Sequence, residues 1–184
     1  MAERMGNWDA DEARRYHERT KHSLESVRAS AHYLDWGNRP EPFKEYEGIE
    51  PLPLSDELPQ PQRAALDAIA DGAGPTPVAP LALPDLARLV RWGAGVVRTQ
   101  RLAGGETYHF RTYSSAGALY PIELYVACAD LRGLPAGLYH FHPLELALRR
   151  LRAGDARGAL SAATGEAHLA EAAAVFVLSG MLWR

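Results

Sequence analysis

Four groups of residues in this 184-residue chain have the types and spacing for chemistry. His17, Glu18 and His22 imitate a zinc-hydrolase helix motif. That motif needs His-Glu-x-x-His, so that two imidazoles share one helix face. Here the histidines are five apart, about 140° round a helix, and a solvated helix face is the better account. His140 and His142 alternate, and on a strand they share a face. With His109 they offer three nitrogens, the ligand number of a catalytic zinc site, but nothing in the sequence brings His109 to that face. Ser114 and Ser115 stand beside Ala116 and Gly117 without the leading glycine of a Gly-x-Ser-x-Gly nucleophile elbow. The bland reading there is a turn capped by hydroxyls. A second reading suits the residue types better. Small residues with free N–H groups let a flat polar ring or a phosphate approach, and Arg111 offers a bidentate cation nearby. Cys128 ends an apolar run and reads as a buried structural thiol. No metal ligand and no catalytic residue is assigned.

Elements must position these groups. Residues 9–33 read as one amphipathic helix, with Tyr16, Leu24, Val27 and Ala31 on a thin stripe. Residues 37–61 hold Pro40, Pro42, Pro51, Pro53, Pro59 and Pro61. Proline removes donors and enforces extended geometry. This is an arm over a surface, with Trp36, Phe43, Tyr46, Ile49, Leu52 and Leu54 as apolar anchors. Residues 61–71 predict a short helix. Pro84 at a first turn, followed by an apolar-periodic run and Gly93 and Gly95, predicts a helix stopped by glycine. Residues 98–106 read as a turn and 108–111 as a short strand. The small-residue loop 114–121 comes next. Residues 122–127 predict a strand, 138–142 and 147–152 a hairpin, 155–163 and 167–172 helices, and 174–178 a buried-type strand. Interleaved helices and strands with one hairpin point to α+β.

Composition narrows the function classes. Net charge is −3, with no basic surplus to neutralise phosphates, so nucleic acid and anionic membrane are unlikely partners. One cysteine excludes an internal disulfide framework. There is no secretory signal and no run of about 18 apolar residues, so a cytoplasmic chain is expected. No lysine lies beyond Lys44.

The segment RTYSSAGALYPIELYVAC (111–128) resembles the flavin loop and following strand of the nitroreductase superfamily, and more narrowly the SagB-type or ThcOx-type dehydrogenases. YHERTKHSLESVRAS (16–30) and LDWGNRPEPFKEYEGIEPLPL (34–54) resemble that group's N-terminal extension. GLPAGLYHFHP (133–143), ALRRLRAGD (147–155) and AVFVLSGMLWR (174–184) resemble its hairpin and next core strand. The resemblance implies an FMN-dependent oxidoreductase working as a homodimer with flavin at the subunit interface. It implies a small-molecule or azoline-peptide substrate whose hydride passes to the flavin. Carried over by position, Ser115 and Gly117 match the Ser-Ala-Gly expected against the flavin ring. Leu119, Tyr120 and Pro121 match the lead into the strand, and Arg111 an arginine upstream. The cofactor-binding set is therefore Arg111, Ser114, Ser115, Gly117, Leu119 and Pro121.

Three departures qualify the expectation. Ser114 stands where the family usually has proline. The phosphate-gripping Arg-Arg-Ser type cluster expected near residues 62–75 is missing; Arg63 is the one cation there, and Arg98 or Arg101 are possible substitutes. The lysine–tyrosine pair that follows the strand resembling 174–184 is not in the chain. The expected architecture is thus a nitroreductase-like α+β fold with an incomplete core. Residues 1–61 form its N-terminal helix and proline-rich extended arm, and 62–184 the N-terminal part of the flavin domain. The chain reads as C-terminally truncated, with little activity alone. The alternative is a non-catalytic binding or scaffolding fragment that contributes to a partner's flavin site.

Overall fold

Alternation along three successive strands builds the centre of the molecule. In the computed structural model, which describes residues 10–30, 41–57, 63–71 and 80–181, these are β4 (Ile122–Cys128), β5 (Gly137–His142) and β6 (Ala147–Ala153). Together with β1 (Pro51–Pro53) and β7 (Ala174–Gly180) they form an antiparallel sheet ordered β1-β6-β5-β4-β7. Tyr125 lies opposite His140, and Leu148 opposite Phe141. Because side chains alternate across a strand, Val126, Cys128, Tyr139, Phe141 and Leu148 share one face. Glu123, Tyr125, His140, His142 and Arg149 share the other.

The apolar face is covered by α4 (Leu83–Ala94). Its Leu86, Ala87 and Val90 are buried in the cluster with Val126, Phe141 and Leu148. Each large apolar side chain fully buried there stabilises the fold by about 1.5–3 kcal/mol. Local chemistry sets the helix limits. The Asp85 carboxylate accepts the Ala82 N–H at 3.1 Å, Pro84 sits in the first turn, and Gly95 closes the end with its N–H on Arg91 O at 3.0 Å. A Cβ on Gly95 would lie 2.5 Å from that oxygen, so only glycine fits.

Contacts group the chain as Met1–Arg39 and Pro40–Arg184. In the first unit, one expected helix is two, α1 (Ala10–Thr20) and α2 (Leu24–Ala29). Ser23 interrupts it by starting a new helix: its hydroxyl accepts from Ser26 N at 3.0 Å, and Ser26 Oγ accepts from Ser23 N at 2.8 Å. Neither helix buries a residue. In the second unit, the arm's residues 41–57 lie with the core; β1 pairs with β6, and Leu54 enters the apolar cluster. Trp36 lies outside the described residues.

The other expected elements appear with shifted limits: α3 (Ala65–Ala70), α5 (Arg157–Thr164) and a 3-10 turn at Ala167–Ala170. Two differ in kind. The turn expected over 98–106 is largely strand: β2 (Val96–Arg101) pairs with β3 (Thr107–Arg111) in a separate two-stranded sheet. Its residues are mostly exposed and polar, so no apolar alternation marks it. β7, read as a buried strand, is an edge strand with Phe176 and Leu178 largely exposed. No described helix is long and apolar enough to cross a membrane.

Candidate functional site

The loop between β3 and β4 holds its shape against backbone preference. Gly117, Ala118 and Tyr120 all have positive φ, of 62°, 53° and 45°. L-residues other than glycine adopt this region at a cost of about 1–2 kcal/mol. Such strain persists only where the surroundings over-determine it, and here they do. Ser115 Oγ accepts the Tyr120 N–H at 3.0 Å. Ala118 N–H donates to Ser115 O, and Leu119 N–H to Ala116 O, making a single 3-10 turn over Ala116–Ala118. The Tyr120 hydroxyl accepts the Arg111 N–H at 3.1 Å. Ser114, Gly117 and Leu119 are exposed, Ser115 and Pro121 half-buried. The structure thus brings Ser114, Ser115, Gly117, Leu119 and Pro121 onto one short surface loop at the start of β4.

Arg111 lies behind that loop. It is buried, at 7% exposure. Its Nη1 donates to Tyr113 Oη at 3.2 Å and to Ile122 O at 3.5 Å, and its Nη2 to Pro42 O at 3.3 Å. The guanidinium also lies over the rings of Tyr120, at 5.0 Å, and Phe43, at 5.4 Å. Its Nε is buried, with no hydrogen-bond partner among the described residues.

The polar face of the sheet carries residues that local spacing does not reveal. His140 Nε2 donates to Glu123 Oε2 at 2.9 Å, with both side chains shut from solvent. The Tyr46 and Tyr125 rings lie 5.0 and 5.2 Å from the His140 ring. Lys44 Nζ donates to Tyr125 Oη at 2.7 Å, and the Tyr46 and Tyr125 hydroxyls are 2.9 Å apart. The bond to Tyr125 holds the Lys44 pKa above its ordinary value, while burial pushes the Tyr125 phenol up. The bonds of Lys44 and Tyr46 to Tyr125 join positions some eighty residues apart, which explains why periodicity misses them. The one hint is that Glu123 and Tyr125 take alternate places in an otherwise apolar strand.

The histidines do not form the three-nitrogen set. His140 and His142 do share a face, but the Phe43 ring packs against both His109 and His142, at 5.3 and 5.4 Å. His109 instead meets Thr99 Oγ1 at 3.1 Å within the β2–β3 pair. Glu45, His142 and Glu145 have ligand atoms within 4.8 Å of one another, yet that cluster is occupied by its own bonds. The Glu145 N–H donates to His142 Nδ1 at 3.2 Å, so Nε2 carries the proton donated to Glu45 at 2.9 Å. Arg149 pairs with both carboxylates, at 2.7 and 3.5 Å, and its bond holds the Glu145 pKa below the ordinary range. A cation already supplies the charge a metal would bring. His17 lies on the exposed α1, and His22 just beyond it, also exposed. Cys128 is buried, as expected, and burial pushes its thiol pKa up.

The loop is short, largely exposed and rich in small residues, an arrangement that admits the ring half of a flavin. The phosphate half is less well served. Among the described residues, Arg63 pairs with Asp71, and Arg98 lies 4.2 Å over the Phe110 ring.

Beside the loop lies an apolar groove of about 470 Å³, lined by Leu89, Tyr113, Ile122, Leu124, Phe176 and Leu178 among others. It runs from α4 to the outer strand β7.

No family model matches the chain, and no curated protein matches it. Among solved structures, a candidate nitroreductase from Anabaena variabilis is similar at 26% identity with a TM-score of 0.70, covering 93% of this chain and 32% of that one. The chain therefore spans 32% of the length of that protein. A candidate nitroreductase from Ralstonia eutropha is 32% identical over 64% of this chain and 55% of its own, with a TM-score of 0.36. The element order and the first of these likenesses lead to one conclusion: this chain has a nitroreductase-like α+β fold, which supports the nitroreductase superfamily.

Proposed function

We propose that this chain is the flavin-loop part of an FMN-dependent oxidoreductase of the SagB type. The observation that carries the reading is the strained loop 114–121, in a fold similar to a candidate nitroreductase. Ser114, Ser115, Gly117, Leu119 and Pro121 form the wall on which the isoalloxazine ring rests. Gly117 matters for its left-handed backbone; a Cβ there would meet only Leu119, at ordinary contact distance. The Ser115 hydroxyl holds the Tyr120 amide, so the loop is set before the cofactor arrives. When bound, FMN supplies a two-electron acceptor for hydride from the substrate.

The further features follow the resemblance. The working unit is a cytoplasmic homodimer with flavin at its interface, and the substrate is a small molecule or an azoline-containing peptide. Residues 1–61 serve as helix and arm, and 62–184 as the flavin part. In the azoline-oxidising members of the group this chain resembles, a lysine–tyrosine pair handles the substrate proton. General acid–base chemistry needs its groups within hydrogen-bond reach of the reacting atom.

One observation favours a second reading, a binding module completed by another polypeptide. The groove beside the loop and the outer strand β7 leave Phe176 and Leu178 exposed, a surface of the kind that marks an interface. Titration with FMN separates the two. The flavin reading expects quenching of FMN fluorescence and an absorbance band near about 450 nm that bleaches on reduction. A chain that leaves FMN fluorescence unchanged at millimolar protein sinks it.

A further inference from the structure

We infer that Arg111 is a positioning residue that fastens the proline-rich arm to the Ser114–Pro121 loop, rather than a cation that grips the flavin phosphate. Its meaning for function rests on the flavin-loop reading; the coupling itself does not.

The geometry is that of a staple. The guanidinium donates to Tyr113 Oη at the loop's entrance, to Ile122 O at its exit and to Pro42 O in the arm. Tyr113 Oη donates in turn to the same Ile122 oxygen at 3.2 Å. The backbone N–H of Arg111 fixes the Tyr120 hydroxyl. One residue thus ties both ends of the loop to each other and to a segment 69 positions earlier in the chain. A planar fork can hold several acceptors in fixed directions, and an ammonium cannot.

The arm end is anchored independently. Phe43 lies under the guanidinium and packs against His109 and His142. Lys44 bonds Tyr125, and Glu45 bonds His142. These contacts fix residues 43–45 on the sheet, so the staple has a firm post beside Pro42. The bonding partners of the guanidinium are neutral oxygens, which take three of its four terminal N–H groups, two on Nη1 and one on Nη2. Its Nε is buried, out of reach of an exposed phosphate. A strained loop needs such outside restraint, and the arm supplies it through this side chain.

The test is amide hydrogen exchange on the flavin-free protein, comparing wild type with Arg111→Ala, Arg111→Lys and Phe43→Ala. The reporters are the amides of Ala118, Leu119 and Tyr120; the paired amides of Val126 and Ala127 control for folding. The inference expects the loop amides to exchange roughly tenfold faster or more in Arg111→Ala, with no rescue by lysine. It expects a smaller acceleration of the same amides in Phe43→Ala, a change confined to the arm. Phe43→Ala decides the matter if Arg111→Ala does not fold. Loop exchange unchanged in Phe43→Ala overturns the coupling, and wild-type behaviour of Arg111→Lys overturns the staple in favour of simple charge. An Arg111→Ala protein with normal loop exchange but lost FMN binding overturns it in favour of direct contact. Failure of wild type to bind FMN would sink the flavin reading alone, since none of the exchange measurements involves flavin.

Discussion

Glu123 and His140 meet at 2.9 Å on the polar face of the sheet, with exposures of 1% and 0%. Among the described residues His140 Nδ1 has no hydrogen-bond partner. A buried pair of this kind adds little net stability, yet removing one partner strands the other. Glu123→Ala is expected to lower the unfolding free energy by about 3–5 kcal/mol. Glu123→Gln, which keeps an acceptor oxygen, costs less. Urea denaturation followed by circular dichroism gives both values. A loss under about 1 kcal/mol for Glu123→Ala would mean that water reaches the pair.

Ser115→Ala removes the acceptor of the Tyr120 amide. The expected cost is about 1 kcal/mol of stability; the proposed function adds weaker FMN binding, because the loop is no longer set in advance. Thermal melts and FMN fluorescence titration of the same variant check the two effects. Unchanged FMN affinity beside a lowered melting temperature would separate the loop from the cofactor.

Ala118 and Gly117 both have left-handed backbones but respond oppositely to exchange. Ala118→Gly relieves strain and is expected to raise stability by about 0.5–1 kcal/mol. Gly117→Ala introduces the same strain and lowers it by about 1 kcal/mol. Its new methyl meets Leu119 at 3.6 Å, so backbone conformation, not crowding, sets the penalty. Chemical denaturation of the pair reads the signs.

Asp155 accepts from the Arg157 side chain and backbone N–H at the start of α5, and the guanidinium beside it holds its pKa down to about 2. A carboxylate with a depressed folded pKa contributes stability above its unfolded pKa of about 3.9 and loses it as pH falls toward 2. The side chain is 44% exposed, so screening limits the contribution to no more than about 1 kcal/mol. Asp155→Asn should flatten the stability profile between roughly pH 4 and pH 2 relative to wild type. A parallel slope in both proteins would remove Asp155 as its source.

Much of the scaffold was legible from local pattern, and the reasons are physical. β4, β5 and β6 have one wet or polar face and one apolar face, so alternation exposes them. α4 is punctuated by Pro84 and Gly95. The small-residue loop is visible because Ser115, Ala116 and Gly117 stand together. What stayed hidden depends on long-range partners or on none. β2 pairs only with its neighbour β3 and is mostly solvent-exposed, so it lacks a core pattern. The Lys44–Tyr125 bond and the Glu45–His142 bond join the arm to the sheet across 81 and 97 positions. Arg111 was visible as a cation near the loop, but its neutral partners in Pro42, Tyr113 and Ile122 were not.

Leu178 is 69% exposed on β7, in a strand without a charge. A charged edge residue deters strand-to-strand association. Leu178→Lys is expected to lower light scattering of concentrated protein while leaving the melting temperature within about 1 °C. Scattering that persists in the variant would place association elsewhere.

The two edges of the sheet differ in chemistry. On β1 the Leu54 N–H turns inward to Leu146 O at 2.9 Å. Alternation then points the nitrogens of Pro53 and Pro51 outward, where neither carries a hydrogen. That margin cannot donate to a further strand; two imino acids seal it. The opposite margin is neutral and keeps its donors. The sheet therefore has a direction: at the arm its margin offers acceptors alone, and a full ladder can form only past Phe176 and Leu178. Any polypeptide that extends it by such a ladder must approach from the side of the groove and of the strained loop.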